Sequence, residues 1–81
     1  MNRLTVTRNS FLAKNTIVVF DYKSKKTGSQ DTRSVVVTET DATHIEGFDF
    51  LRGGEYRKFL RSNIVSDIDV WGMRTPLPGT E

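Results

Sequence analysis

The chain has no cysteine, one histidine, two prolines and no long apolar run, and each shortage removes a class of protein. Without cysteine there is neither a disulfide framework nor a thiolate metal site, and a reducing cytoplasm is the natural compartment. A lone His44 cannot build the nitrogen and sulfur ligand sets of structural zinc, so no metal is expected. The longest apolar run, Ile17-Val18-Val19-Phe20, is far short of the ~20 residues that cross a bilayer. The first residues, Met1 to Arg8, lack the apolar core of a secretory signal, so a soluble chain with no membrane partner is expected. No nucleophile–base set and no phosphate loop stands out, so neither enzymatic activity nor a cofactor is expected. Charge of one sign is scarce too: twelve Lys and Arg against ten Asp and Glu leave only +2. That sum does not argue for nucleic acid, but its distribution matters. Lys23, Lys25 and Lys26 sit together, and Arg52, Arg57, Lys58 and Arg61 form a second group.

What is present is β-branched and aromatic. At 81 residues the chain is one domain, 1–81, too small to bury much of its surface. Its core must therefore draw on Phe11, Phe20, Tyr22, Phe48, Phe50, Tyr56, Phe59 and Trp71. Turn formers recur at the spacing of an all-β protein. Arg3 to Arg8 alternates as a first strand, and Phe11 to Lys14 reads as one helical turn. Thr16 to Lys23 places Val18, Phe20 and Tyr22 on one face, with Ile17 and Val19 on the other, the pattern of a central strand. A polar loop through Gly28 leads to a strand over Thr32 to Thr40. A third long strand follows from Thr43 to Phe50, in which mid-strand Gly47 marks a bend or a close backbone approach. Gly53-Gly54 closes a hairpin onto Tyr56 to Arg61, Ser62-Asn63 turns a corner, and Ile64 to Trp71 alternates as the last strand. The expected architecture is an all-β, five- or six-stranded antiparallel small barrel over about 3–71, with a flexible tail over 72–81.

Cations and aromatics interleave in the second half of the chain. Arg57 and Arg61 share a strand face four residues apart with Phe59 between them. Arginine offers paired donors to a phosphate, and an aromatic beside it can stack a base for about 1–3 kcal/mol. Against this stands a plain alternative, in which Arg57 pairs with Glu46 or Glu55 on a solvated face and Phe59 fills the core. His44 is either a pocket residue or a half-exposed strand histidine. Lys23, Lys25 and Lys26 read as a solubilising hairpin tip, and Asp67 and Asp69 as the outward face of a strand. Trp71 is either a core plug or an anchor for a partner, and so small a barrel favours the plug.

Set in order, these segments resemble the WYL domain, a bacterial ligand-sensing module built on an Sm-like small β-barrel. Tyr22 matches the first tyrosine of that pattern, and Arg33-Ser34-Val35-Val36-Val37 the second piece. Thr43-His44-Ile45-Glu46-Gly47-Phe48-Asp49 falls on the signature, with Thr43 and His44 in place of its Trp and Tyr. Arg57-Lys58-Phe59-Leu60-Arg61-Ser62-Asn63-Ile64 falls on the last motif, with Asn63 where an arginine is usual. The resemblance spans about Ile17 to Val70 and implies a stand-alone or truncated regulatory barrel. Family arginines and aromatics line a basic pocket for nucleotides or nucleic acid. The implied function is non-enzymatic binding of an anionic ligand, nucleic acid or nucleotide, through Arg33, His44, Phe48, Arg57, Phe59 and Arg61. The rival is a small accessory or inhibitor protein, of the phage-encoded kind, that docks on a host protein through a sheet edge or the Trp71 end. Self-association through strand edges fits either reading.

Overall fold

The computed structural model describes residues 4–73. These residues form an all-β protein, a single antiparallel sheet of six strands. The strands are β1 (Leu4–Val6), β2 (Thr16–Lys23), β3 (Gln30–Thr40), β4 (His44–Asp49), β5 (Glu55–Leu60) and β6 (Ile68–Met73). Two single-turn 3-10 helices interrupt them, η1 (Phe50–Arg52) and η2 (Arg61–Asn63). None of these helices is long and apolar enough to cross a membrane.

Strands β2 to β5 follow one another as a meander, and β6 then crosses back to lie between β1 and β2. The sheet does not close, so the expected barrel is a curled open sheet with β1 and β5 at its edges. The reason is local. β1 ends at Val6, where a turn with Ser10 N–H donating to the Thr7 carbonyl at 3.0 Å bends the chain away. Curl comes from two bulges, one in β3 between Val37 and Glu39 and one where β2 meets β6, which leaves Trp71 as the extra residue.

Alternation sets the inner face. Val18 and Phe20 of β2, Val35 and Val37 of β3, Ile45 of β4, Phe59 of β5 and Ile68 of β6 are buried together with Leu12 and Ile64. Phe20, Tyr22 and Phe59 meet edge to face, with centroids 5.1–6.3 Å apart. The expected helical turn at Phe11 to Lys14 does not form. The segment is irregular until a turn closed by the Thr16 N–H donating to the Ala13 carbonyl at 3.2 Å, and it sends Leu12 into the core, while Phe11 stays 83% exposed. Phe48, Phe50, Tyr56 and Trp71 are exposed as well, so the core is built from aliphatic side chains and two phenylalanines rather than from all the aromatics.

Several element ends differ from the sequence reading. Phe50 belongs to η1, because the Asp49 carboxylate accepts the Leu51 N–H and turns the chain out of β4. Arg61 belongs to η2 rather than to β5. The last strand begins at Ile68, and Ile64 makes only a lone bridge to Tyr22. Gly72 and Met73 continue β6, and the rest of the expected tail lies outside the described residues.

Gly47 justifies its place by contact. A Cβ there would stand 2.0 Å from the Val36 carbonyl oxygen and 2.7 Å from Val35 Cγ1, so β3 and β4 could not keep their spacing. Gly47→Ala is expected to destabilise the fold by about 3 kcal/mol, the upper end of overpacking effects, as measured by urea unfolding. An alanine variant as stable as the parent would show that the two strands part freely.

Candidate functional site

The six residues expected to form one ligand wall divide between the two faces of the sheet. Phe59 is 2% exposed and belongs to the core. Arg33 lies beside it on the inner face, its guanidinium carbon 5.7 Å from the Phe59 ring centre and 5.8 Å from that of Tyr22. Its Nη1 donates to the fully buried Asp49 at 3.0 Å, and its Nε stands 2.9 Å from Asp31 Oδ1 as an ion pair out of line for a hydrogen bond. The Asp49 carboxylate also caps η1, so Arg33 neutralises a group that the hairpin needs. It is an internal counter-ion with little left to offer a ligand.

Arg61 is buried too, at 5% exposure. Its Nη1 donates to the carbonyls of Arg8 and Ser10, each at 2.8 Å, and its Nε donates to the Asp41 carbonyl at 2.9 Å. Its own N–H donates to the Thr43 carbonyl at 2.9 Å. Arg8 answers from the other side, donating to the Ile64 carbonyl at 3.0 Å and the Ser62 carbonyl at 3.3 Å. The expected face of Arg57, Phe59 and Arg61 therefore does not exist as a binding wall: β5 ends at Leu60, and η2 turns Arg61 inward. Arg57 stays exposed and pairs with Glu55 at 2.5 Å, the plain alternative of the sequence reading.

His44 and Phe48 stand on the opposite, outer face, in β4. His44 Nδ1 is 2.7 Å from the Thr43 hydroxyl. Both residues sit over an Asx turn in which Asp41 Oδ1 accepts the N–H groups of Thr43 at 2.8 Å and His44 at 2.7 Å. These backbone donors, with the Thr43 hydroxyl, hold the Asp41 carboxyl down from 3.8 to about 2.

The outer face carries a feature the sequence reading did not assemble. Ile17 pairs with Val36, Val36 with Phe48, and Phe48 with Tyr56, so one row crosses β2, β3, β4 and β5. On the other flank Ile17 faces Gly72, beside the bulged Trp71. Val36 is nearly covered at 2%, while Phe48, Tyr56 and Trp71 are 41, 51 and 56% exposed. Phe48 and Tyr56 meet edge to face at 5.3 Å. The Tyr56 hydroxyl donates to Glu46 at 2.8 Å and lies 3.1 Å from the Thr38 hydroxyl, which fixes the ring upright. Lys58 is the exposed cation beside this row, and Glu46 stands across from it at 3.8 Å. Asp21 and Glu46 add negative charge to the same face. Phe50 and Leu51, both about half exposed, extend the apolar surface around the hairpin end.

Tyr56 and Val36 were legible in principle, because the spacing across Gly53-Gly54 pairs Phe48 with Tyr56. Trp71 follows Asp67 and Asp69 on the outward alternation of the last strand, and only the bulge that sets it beside Ile17 left no such signal. Among the described residues no group of His, Asp and Glu is arranged to hold a metal. No family model matches the chain, and neither a curated protein nor a solved structure matches it.

Two outcomes follow from these contacts. Arg61→Ala should cost about 3 kcal/mol in urea unfolding, because three charge-assisted bonds are lost and the part-buried carbonyls of Arg8, Ser10 and Asp41 lose their donor. Arg61→Lys should recover less than half of that, since an ammonium cannot span carbonyls on separate segments; full recovery would assign Arg61 to charge alone. The second outcome concerns pH. The folded Asp41 carboxyl titrates below its unfolded value, so its stabilisation is complete above that value and is lost as pH falls through about 2. An NMR titration should place the Asp41 carboxyl midpoint near 2, with the His44 amide moving alongside; a midpoint at 3.8 would remove the turn's role.

Proposed function

We propose that this chain is a non-enzymatic binding module that docks on another protein through the outer face of its sheet. The observation that carries the reading is the row Trp71–Ile17–Val36–Phe48–Tyr56, in which exposed aromatics flank a covered aliphatic centre. Exposed apolar side chains gathered on one face mark interaction sites, and aromatics such as Tyr and Trp are enriched among the residues that contribute most to protein interfaces. Held rings lose little side-chain freedom on binding, which favours Tyr56 in particular.

Charge favours a protein over a polyanion at this face. Asp21 and Glu46 lie on it, and Lys58 already faces Glu46. Of the cations expected to meet phosphate, Arg33 and Arg61 are turned inward and Arg57 is paired with Glu55. A nucleic acid on this face would meet rings without the counter-charge that supplies most of its affinity. The partner that fits is a protein surface with apolar pockets bordered by Lys or Arg.

The test is capture from a nuclease-treated lysate of the source cells, with the parent chain and Phe48→Ser/Tyr56→Ser compared side by side. A specific partner should be retained by the parent and bound at least about 30-fold more weakly by the double variant, the effect of losing one interface hot spot. Thermal unfolding should leave the variant folded, since both side chains are exposed. Capture that disappears with nuclease, or that the double variant leaves unchanged, would overturn the reading.

A further inference from the structure

We infer that a cavity on another side of the molecule, between the β2–β3 loop and the η2–β6 corner, is a binding site for the phosphate group of a small phosphate ester. This site is independent of the docking face. The cavity has a volume of about 290 Å³ and is lined by Lys23, Ser24 and Lys25 from the loop, and by Ser62, Asn63 and Val65 from the corner. That volume suits a small ligand rather than a chain.

The electrostatics are distinctive within this molecule. Arg33, Arg52, Arg57 and Lys58 each have a carboxylate partner. Arg8 and Arg61 are satisfied by carbonyls. Lys23 and Lys25 have no carboxylate partner among the described residues, and no acidic residue lines the cavity. Among the described residues, Lys14 also lacks a carboxylate partner but stands alone, whereas Lys23, Lys25 and Lys26 gather at this one hairpin.

The donor set matches a phosphate better than a carboxylate. Lys23 and Lys25 bring ammonium groups to the cavity lining, and Ser24, Ser62 and Asn63 are lining residues whose side chains can donate, beside a larger apolar part of the wall. Phosphate offers three terminal oxygens and close to two negative charges for them to share. Val65, half exposed on the corner, gives an apolar wall for the carbon part of an ester.

Both walls are fixed by backbone bonds. In the loop, Ser24 N–H donates to the Ser29 carbonyl at 2.9 Å and Gly28 N–H to the Ser24 carbonyl at 2.7 Å, with Gly28 in the left-handed region at φ 73°. At the corner, Val65 N–H donates to the Asp21 carbonyl at 2.9 Å, next to the Tyr22–Ile64 bridge, so it is tied to the strand that carries Lys23.

The experiment is an amide-resolved NMR titration of the full chain at low salt, with ribose 5-phosphate, inorganic phosphate and ribose as probes. Saturable shifts confined to residues 23–29 and 62–65 are expected with the first two probes and none with ribose. Tighter binding of ribose 5-phosphate than of phosphate would identify an ester site, and equal binding a site for the free ion, either of which upholds phosphate recognition. Lys23→Gln/Lys25→Gln should weaken binding at least about tenfold for each lysine, while Lys58→Gln, outside the cavity, should leave it unchanged. Absence of saturation at millimolar probe, shifts spread over all lysines, or equal weakening by Lys58→Gln would overturn the proposal. Partner capture through the outer face should be unaffected by the double lysine variant, so the two sites fail or stand separately.

Discussion

Between the end of β5 and the segment leaving β1 the sheet has no ladder, and the Arg61 guanidinium takes its place. From one buried position it donates to carbonyls of Arg8, Ser10 and Asp41, while Arg8 returns the bond to Ser62 and Ile64. Those carbonyls belong to the β1–β2 connection, the β3–β4 turn and the η2 corner, three segments that lie outside the strand ladders. A buried carbonyl must be paired, and a planar group with fixed, divergent donors can pair several at once. The openness of the sheet and the burial of a cation are thus the same fact.

The same logic governs Arg33. Asp49 is fully buried because it ends β4 and caps η1, and a buried carboxylate demands a counter-ion. Arg33 supplies it from the neighbouring strand, wedged between Tyr22 and Phe59. The arginines that look most available in the linear pattern are therefore bound to the fold. What the fold leaves exposed is an aromatic row on the outer face and, at a hairpin, two lysines without a carboxylate partner among the described residues.

Much of the fold was legible because strands alternate with period two and this chain does so cleanly. Val18, Phe20 and Tyr22 against Ile17 and Val19 set the faces of β2, and the close approach at Gly47 followed from a glycine standing mid-strand. Asn63 and Ser62 marked the corner, although it begins one residue earlier. The candidate site was far less legible. Alternation carried past Leu60 put Arg61 on the face of Arg57, and only the 3-10 turn shows that it leaves that face. Hydrophobicity placed Phe11, Phe48, Phe50, Tyr56 and Trp71 inside, whereas a curled sheet of this size has one interior and fills it with Leu12, the β-branched residues, Phe20 and Phe59.

By itself the sequence determined the all-β class, the succession of strands along the chain, the two faces of β2 and β4 and the turns at Asp41 and Gly53-Gly54. Each of these depends on neighbours a few residues apart, where backbone preference and periodicity act. Only the tertiary structure decided that the sheet stays open, that Arg33 and Arg61 face inward, and that Trp71, Phe48 and Tyr56 share one outer surface. Those outcomes depend on which carbonyls and carboxylates are left unpaired once distant segments meet, a quantity no local pattern contains.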